Sequence, residues 1–136
     1  MKVESLNVER HDVETLRWRE GRLELIDQRK LPLEFEYVAC DTAAQTAAAI
    51  RDMVVRGAPA IGCTAAYGVA LEAQRQINAS RAQFDTALEE SFRVLGASRP
   101  TAVNLFWAIE RMRQCHALHR SGSTRALSMA ASSAST

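Results

Sequence analysis

The run Arg56-Gly57-Ala58-Pro59-Ala60-Ile61-Gly62 joins a permanent positive charge to two residues with almost no side chain and to a proline. Proline suits the first helical position, so a tight turn is predicted here, feeding a helix that begins near Pro59. The first N–H groups of a helix have no intrahelical acceptor and the macrodipole is positive there, which favours an anion. Gly57 and Ala58 leave the backbone open to a ligand, and the Arg56 guanidinium can take two oxygens of a phosphate at once. A second run, Ser98-Arg99-Pro100-Thr101-Ala102-Val103-Asn104, repeats the pattern, with an arginine before a proline predicted to open another helix. Two such starts facing each other would hold one anionic, phosphorylated small molecule. A plain turn beside a solvated arginine is the alternative for each run taken alone.

Other residues with chemical potential are read as structural. Cys63 falls inside a small-residue helical stretch and is expected to be buried and apolar. Cys40 and Cys115 have no neighbouring histidine or acid in sequence to activate them. His116 and His119 beside Cys115 have a spacing that can bind metal, but no further ligands accompany them, so no metal site is expected. Phe106 and Trp107 are expected in the core of a helix rather than as stacking platforms.

The elements that must position the two runs can be read from periodicity. Leu16 and Trp18, then Leu23 and Leu25, then Leu33, Phe35 and Tyr37 alternate with polar residues, predicting three strands of a small antiparallel sheet with one wet face. Glu20-Gly21 supplies the first turn and Lys30 to Pro32 the second interruption. Thr42 can cap a helix and Gln45 complete its capping box, with the helix running to about Val55. The next helix carries Gly62, Ala65, Ala66, Gly68, Val69 and Ala73, small residues that let neighbouring backbones come close. A third helix is predicted from about Arg81 until Gly96 stops it. The fourth is predicted from Pro100, with Leu105, Ala108, Ile109 and Met112 on one face and Val103, Phe106 and Trp107 beside it. From Arg113 onward helical periodicity is lost and serine and alanine crowd the end. The expected fold class is α+β, a small N-terminal antiparallel sheet followed by a mainly helical domain over residues 1–113. Residues 114–136 are expected to form a disordered tail.

These strings resemble a known family. Met53 through Gly62, followed by Ala65-Ala66-Tyr67-Gly68, and Ser98 through Leu105, closely resemble S-methyl-5-thioribose-1-phosphate isomerases. Leu31-Pro32 and the strand pattern before it also look like that family's N-terminal region, so the resemblance covers roughly residues 13–113. It implies an aldose–ketose isomerase of methionine salvage that needs no cofactor and converts methylthioribose 1-phosphate to methylthioribulose 1-phosphate. It assigns substrate-phosphate binding to Arg56, Gly57, Ala58 and Arg99 and no catalytic residue to this chain. The family's catalytic cysteine and aspartate belong to a Rossmann-like C-terminal domain not found in these residues, so the isolated chain is expected to be inactive. Full-length members are expected to be homodimers. Two alternatives share the fold family: a non-catalytic regulatory subunit of a translation-initiation exchange factor, and ribose-1,5-bisphosphate isomerase.

Composition agrees with a folded, small-ligand protein. The chain has 136 residues, 47% hydrophobic and 24% charged, with a formal net charge of +1. That balance gives no field that argues for nucleic acid or a membrane surface as partner. The three widely spaced cysteines fit neither a disulfide framework nor a zinc site. With no signal-like segment and no long apolar run, a cytoplasmic location is expected.

Overall fold

The structure is a computed structural model that describes residues 2–5, for the backbone alone, and residues 14–118. Four strands, β1 (Lys2–Ser5), β2 (Leu16–Arg19), β3 (Arg22–Ile26) and β4 (Glu36–Cys40), precede four helices, α1 (Ala43–Arg51), α2 (Ala58–Arg75), α3 (Arg81–Ser98) and α4 (Val103–Leu118). The α+β class read from the sequence is the observed one.

The sheet is antiparallel in the order β1-β4-β3-β2. Glu20 and Gly21 both have positive φ (55° and 74°), the backbone that a two-residue hairpin requires, and they pair Leu16 with Leu25 and Trp18 with Leu23. Leu25 lies opposite Val38 and Leu23 opposite Cys40, so these side chains share the face turned to the helices. The second face is not simply wet, as the alternation had suggested. Glu24, Tyr37 and Ala39 are buried on it, where the Arg17 guanidinium lies 3.9 Å from the centre of the Tyr37 ring and donates to Glu24 Oε1 at 2.7 Å. A long arginine lying over a ring covers apolar area while keeping its own charge paired.

The third strand begins later than the alternation implied. Leu33 is 91% exposed in a turn, and β4 starts at Glu36. β1 was not foreseen at all, because its four residues are specified by pairing to β4 rather than by a local pattern.

Thr42 caps α1 as expected, its Oγ1 accepting from Gln45 N at 3.0 Å, but the capping box is not closed: Gln45 Oε1 accepts from Asp41 N at 2.8 Å, one residue before the N-cap. The helix ends at Arg51, short of Val55, because Met53 turns into positive φ (65°) and Val54 and Val55 leave the helix to bury their side chains. α2 is central. It is buried continuously from Ile61 to Ala73, mostly by small and apolar side chains, and touches α1, α3 and α4. α3 begins with a complete capping box between Ser80 and Gln83 and passes through Gly96 to Ser98. Gly96 has open space around it and helical backbone, so nothing there ends the helix.

α4 begins at Val103, three residues after Pro100, which lies in the turn instead. Leu105, Ala108, Ile109 and Met112 are buried as predicted, at the i, i+3, i+4, i+7 spacing of one face. Phe106 and Trp107 are not core residues: they are 60% and 66% exposed, about 100° and 200° round the helix from Leu105. Helical structure also persists beyond Arg113 to Leu118, where His116 Nε2 lies 3.0 Å from Asp85 Oδ1 and the imidazole packs on Phe84. The tail expected to be disordered lies, from residue 119, outside the described residues, as do His11 and His119.

The core joins Leu23, Leu25 and Val38 of the sheet to Ile50, Val69, Phe92, Leu95 and Leu105 of the helices. Each such large side chain contributes roughly 1.5–3 kcal/mol relative to leaving it exposed. No helix among the described residues is long and apolar enough to cross a membrane.

Candidate functional site

The turn predicted at Arg56-Gly57-Ala58 is present and leads into α2 without a side-chain cap. Gly57 is the N-cap, with φ 91° and ψ 134°, a region that side chains bearing a Cβ rarely adopt. Its carbonyl accepts from Ile61 N at 2.9 Å, closing the first helical turn. A Cβ built at Gly57 meets nothing within 4 Å, so the concave side of the turn is open. Arg56, Gly57, Ala58 and Pro59 are all exposed, and neither Arg56 nor Arg99 has an ion pair among the described residues. The helix start therefore presents unsatisfied N–H groups, a positive dipole end and an uncommitted guanidinium on the same solvent-facing turn.

The segment before the turn is fixed from two sides. Val54 N donates to Ala49 O at 3.0 Å, and Gln28 N, in the loop after β3, donates to Val54 O at 2.8 Å. Val54 and Val55 are buried, which anchors the chain immediately before Arg56.

Arg99 is placed differently from its sequence reading. It is the C-cap of α3, with φ −147°, and its carbonyl accepts from Ala102 N at 3.0 Å. Pro100 and Thr101 complete the turn, and the first turn of α4 is closed by Phe106 N donating to Ala102 O at 3.2 Å. The helix starts of α2 and α4 are nonetheless side by side: a Cβ on Gly62 would lie 3.1 Å from the Asn104 carbonyl oxygen. Between them runs an open cleft of ≈ 220 Å³ lined by Pro59, Gly62, Cys63, Asn104, Trp107 and Arg111, among others. Arg56, Gly57, Ala58 and Arg99 do not line that cleft; they stand on the turns that lead into it. Asn104 was visible in the second string, whereas Arg111 lies outside both strings.

The cysteines are not set up as nucleophiles. Burial pushes the Cys40 thiol up to about 11 and also raises those of Cys63 and Cys115. No group of three metal-binding side chains occurs among the described residues. The site thus offers anion-binding donors and an adjacent cleft, without an activated thiol.

Comparison with known proteins identifies the family. The model of the initiation factor 2 subunit family matches residues 54–135. A methylthioribose-1-phosphate isomerase of Albidiferax ferrireducens is 65% identical over 101 residues, covering 74% of this chain and 28% of that protein. One of Azotobacter vinelandii is 58% identical over 102 residues, with 75% and 28% covered. Among solved structures, a 5-methylthioribose 1-phosphate isomerase from Pyrococcus horikoshii superposes with a TM-score of 0.83 at 34% identity, covering 88% of this chain and 35% of that one. The delta subunit of translation initiation factor eIF-2B from A. fulgidus gives 0.70 at 33% identity, covering 91% and 36%. The chain spans about 28% of the length of the curated relatives it matches. It belongs to the initiation factor 2 subunit family, as a partial region similar to methylthioribose-1-phosphate isomerases.

Proposed function

We propose that this chain forms the substrate-phosphate-binding part of a methylthioribose-1-phosphate isomerase, which carries out an aldose–ketose isomerisation in methionine salvage in the cytoplasm. The observation that carries the reading is the open, uncapped start of α2 at Gly57, with Arg56 exposed beside it. In this role the N–H groups that follow Gly57 donate to phosphate oxygens, Arg56 neutralises a second edge of the dianion, and Arg99 approaches from the end of α3. The sugar extends from that anchor, and the acid and base that move protons between its carbons come from residues outside this chain. The isolated chain then binds substrate without turning it over, and neither a cofactor nor a metal takes part.

Titration of the 136-residue chain with methylthioribose 1-phosphate, followed by amide resonances, tests the assignment. The expected result is saturable movement of the Gly57 and Ala58 signals, weakened roughly 10- to 100-fold by Arg56→Ala, the equivalent of one lost charge-assisted hydrogen bond or pair. Movement confined to other residues, or product formation by the isolated chain, would contradict it.

A second reading is a regulatory module, favoured by the likeness to the eIF-2B delta subunit. The 65% and 58% identities to curated isomerases, and a TM-score of 0.83 on the isomerase structure against 0.70 on that subunit, support the enzymatic reading over it. A ribose 1,5-bisphosphate arm in the same titration separates the remaining substrate alternative: tighter binding of the bisphosphate would favour it.

A further inference from the structure

Asp27 is 2% exposed, although it is a carboxylate in a surface loop between β3 and β4. Burying a carboxylate is unfavourable unless its oxygens are satisfied. Here they are: Oδ1 accepts from Arg29 N at 3.1 Å and Arg29 Nε at 2.9 Å, and Oδ2 accepts from Arg29 Nη2 at 2.8 Å. The backbone of Asp27 is held as well, donating to Glu36 O at 2.8 Å and accepting from Lys30 N at 3.2 Å. The loop is thus folded around one carboxylate.

The residue after this knot makes the connection to the site. Gln28 N donates to Val54 O at 2.8 Å, the one described backbone hydrogen bond that reaches residues 54–56 from outside the neighbouring helices. Two residues later the chain reaches Arg56 and the positive-φ turn at Gly57. A turn that must present several N–H groups to one anion loses affinity if it is free to move, because its ordering then counts against binding.

We propose that Asp27 is a positioning residue for the anion cradle, acting through Arg29 and the Gln28–Val54 hydrogen bond to hold Val54 through Gly57 in place. The inference rests on the anion-binding reading of Arg56-Gly57-Ala58 and adds to it a residue remote in sequence. Asp27 need not touch the ligand. Its ion pair fixes the loop, the loop fixes Val54, and Val54 fixes the start of α2.

The test uses the 136-residue chain with inorganic phosphate as probe, with Asp27→Asn, Asp27→Ala and Arg29→Ala variants. Phosphate affinity is read from the Gly57 and Ala58 amide signals, and hydrogen exchange from the Gln28, Val54 and Ile61 amides. The expected result is a loss of phosphate affinity of about fivefold in Asp27→Ala and Arg29→Ala, equal to about one hydrogen bond, with a smaller loss in Asp27→Asn, which keeps an acceptor. Exchange at Gln28 and Ile61 should speed up in step. Arg29→Ala strips the partner from a buried carboxylate and can itself unfold the chain, so the double variant Asp27→Asn/Arg29→Ala, which removes both charges, is measured beside it. Affinity within twofold of the parent in either variant, once shown to be folded, overturns the proposal. If the parent binds no phosphate at Gly57 and Ala58, the anion reading itself fails; unchanged exchange at Gln28 and Ile61 in Arg29→Ala then overturns the positioning role separately, and faster exchange upholds it.

Discussion

Gly62 of α2 lies directly against the Asn104 carbonyl of α4, so closely that a single added Cβ would sit 3.1 Å from that oxygen. The contact sets the distance between the two helix starts that flank the candidate site. Its partner is backbone, which cannot rotate away as a side chain could.

Gly62→Ala is therefore expected to push the start of α4 outward. The methyl gains up to about 1 kcal/mol in helix propensity but meets an overpacking penalty of roughly 1–3 kcal/mol, so a net loss of stability is expected. Thermal melting measures it. A melting temperature at or above the parent's would show that the two helices have slack between them.

Gly57→Ala separates backbone strain from crowding. The added methyl meets nothing, yet φ of 91° is strained for alanine, at about 1–2 kcal/mol. The expected result is reduced stability together with weaker phosphate binding, because relief of the strain rotates the N–H groups of the turn. Arg56→Ala should lower phosphate binding alone: Arg56 is exposed and has no ion pair among the described residues, so stability should change by less than about 0.5 kcal/mol.

Acid should weaken the loop that steadies the cradle. The Arg29 guanidinium, by its hydrogen bonds, holds the Asp27 carboxyl below its ordinary value of 3.8, and Arg22 does the same for Asp41 through hydrogen bonds of 2.6 and 2.8 Å. A carboxyl whose folded value is depressed is protonated first in the unfolded chain. Its stabilising contribution is complete above about pH 4 and is lost as the pH falls through the lower folded value. Urea melts from pH 6 to pH 2.5 should show a steep decline at the acid end that is shallower in Asp27→Asn. An identical acid slope in that variant would show that the Asp27 pair does not drive the decline.

Phe106 and Trp107 place a large apolar area on the outside of α4, with Val103 exposed beside them. Patches of this kind promote association in a chain with little net charge. The 136-residue chain is expected to self-associate, and Phe106→Gln with Trp107→Gln should raise its soluble, monomeric fraction in size-exclusion chromatography without lowering the melting temperature. A parent chain that stays monomeric at high concentration would count against this expectation.

What could be read from the residues in order was local. The Glu20-Gly21 hairpin, the Thr42 cap, the start of α2 beside Pro59 and the buried face of α4 each follow from chemistry within about four residues. The turn at Arg56 to Ala58 belongs to the same class, since glycine, proline and an exposed arginine specify an open helix start wherever they occur together. Tertiary structure decided the rest. Gly96 continues a helix because packing of Phe92 and Leu95 outweighs its weak propensity, and Pro100 falls outside α4 because α3 runs on to Ser98. β1 exists through pairing with β4, while Phe106 and Trp107 stay exposed because the core takes the face of α4 that carries Leu105, Ala108, Ile109 and Met112. The same reason hid Asp27: its significance comes from a hydrogen bond between residues 28 and 54, and contacts that far apart in sequence leave no local pattern.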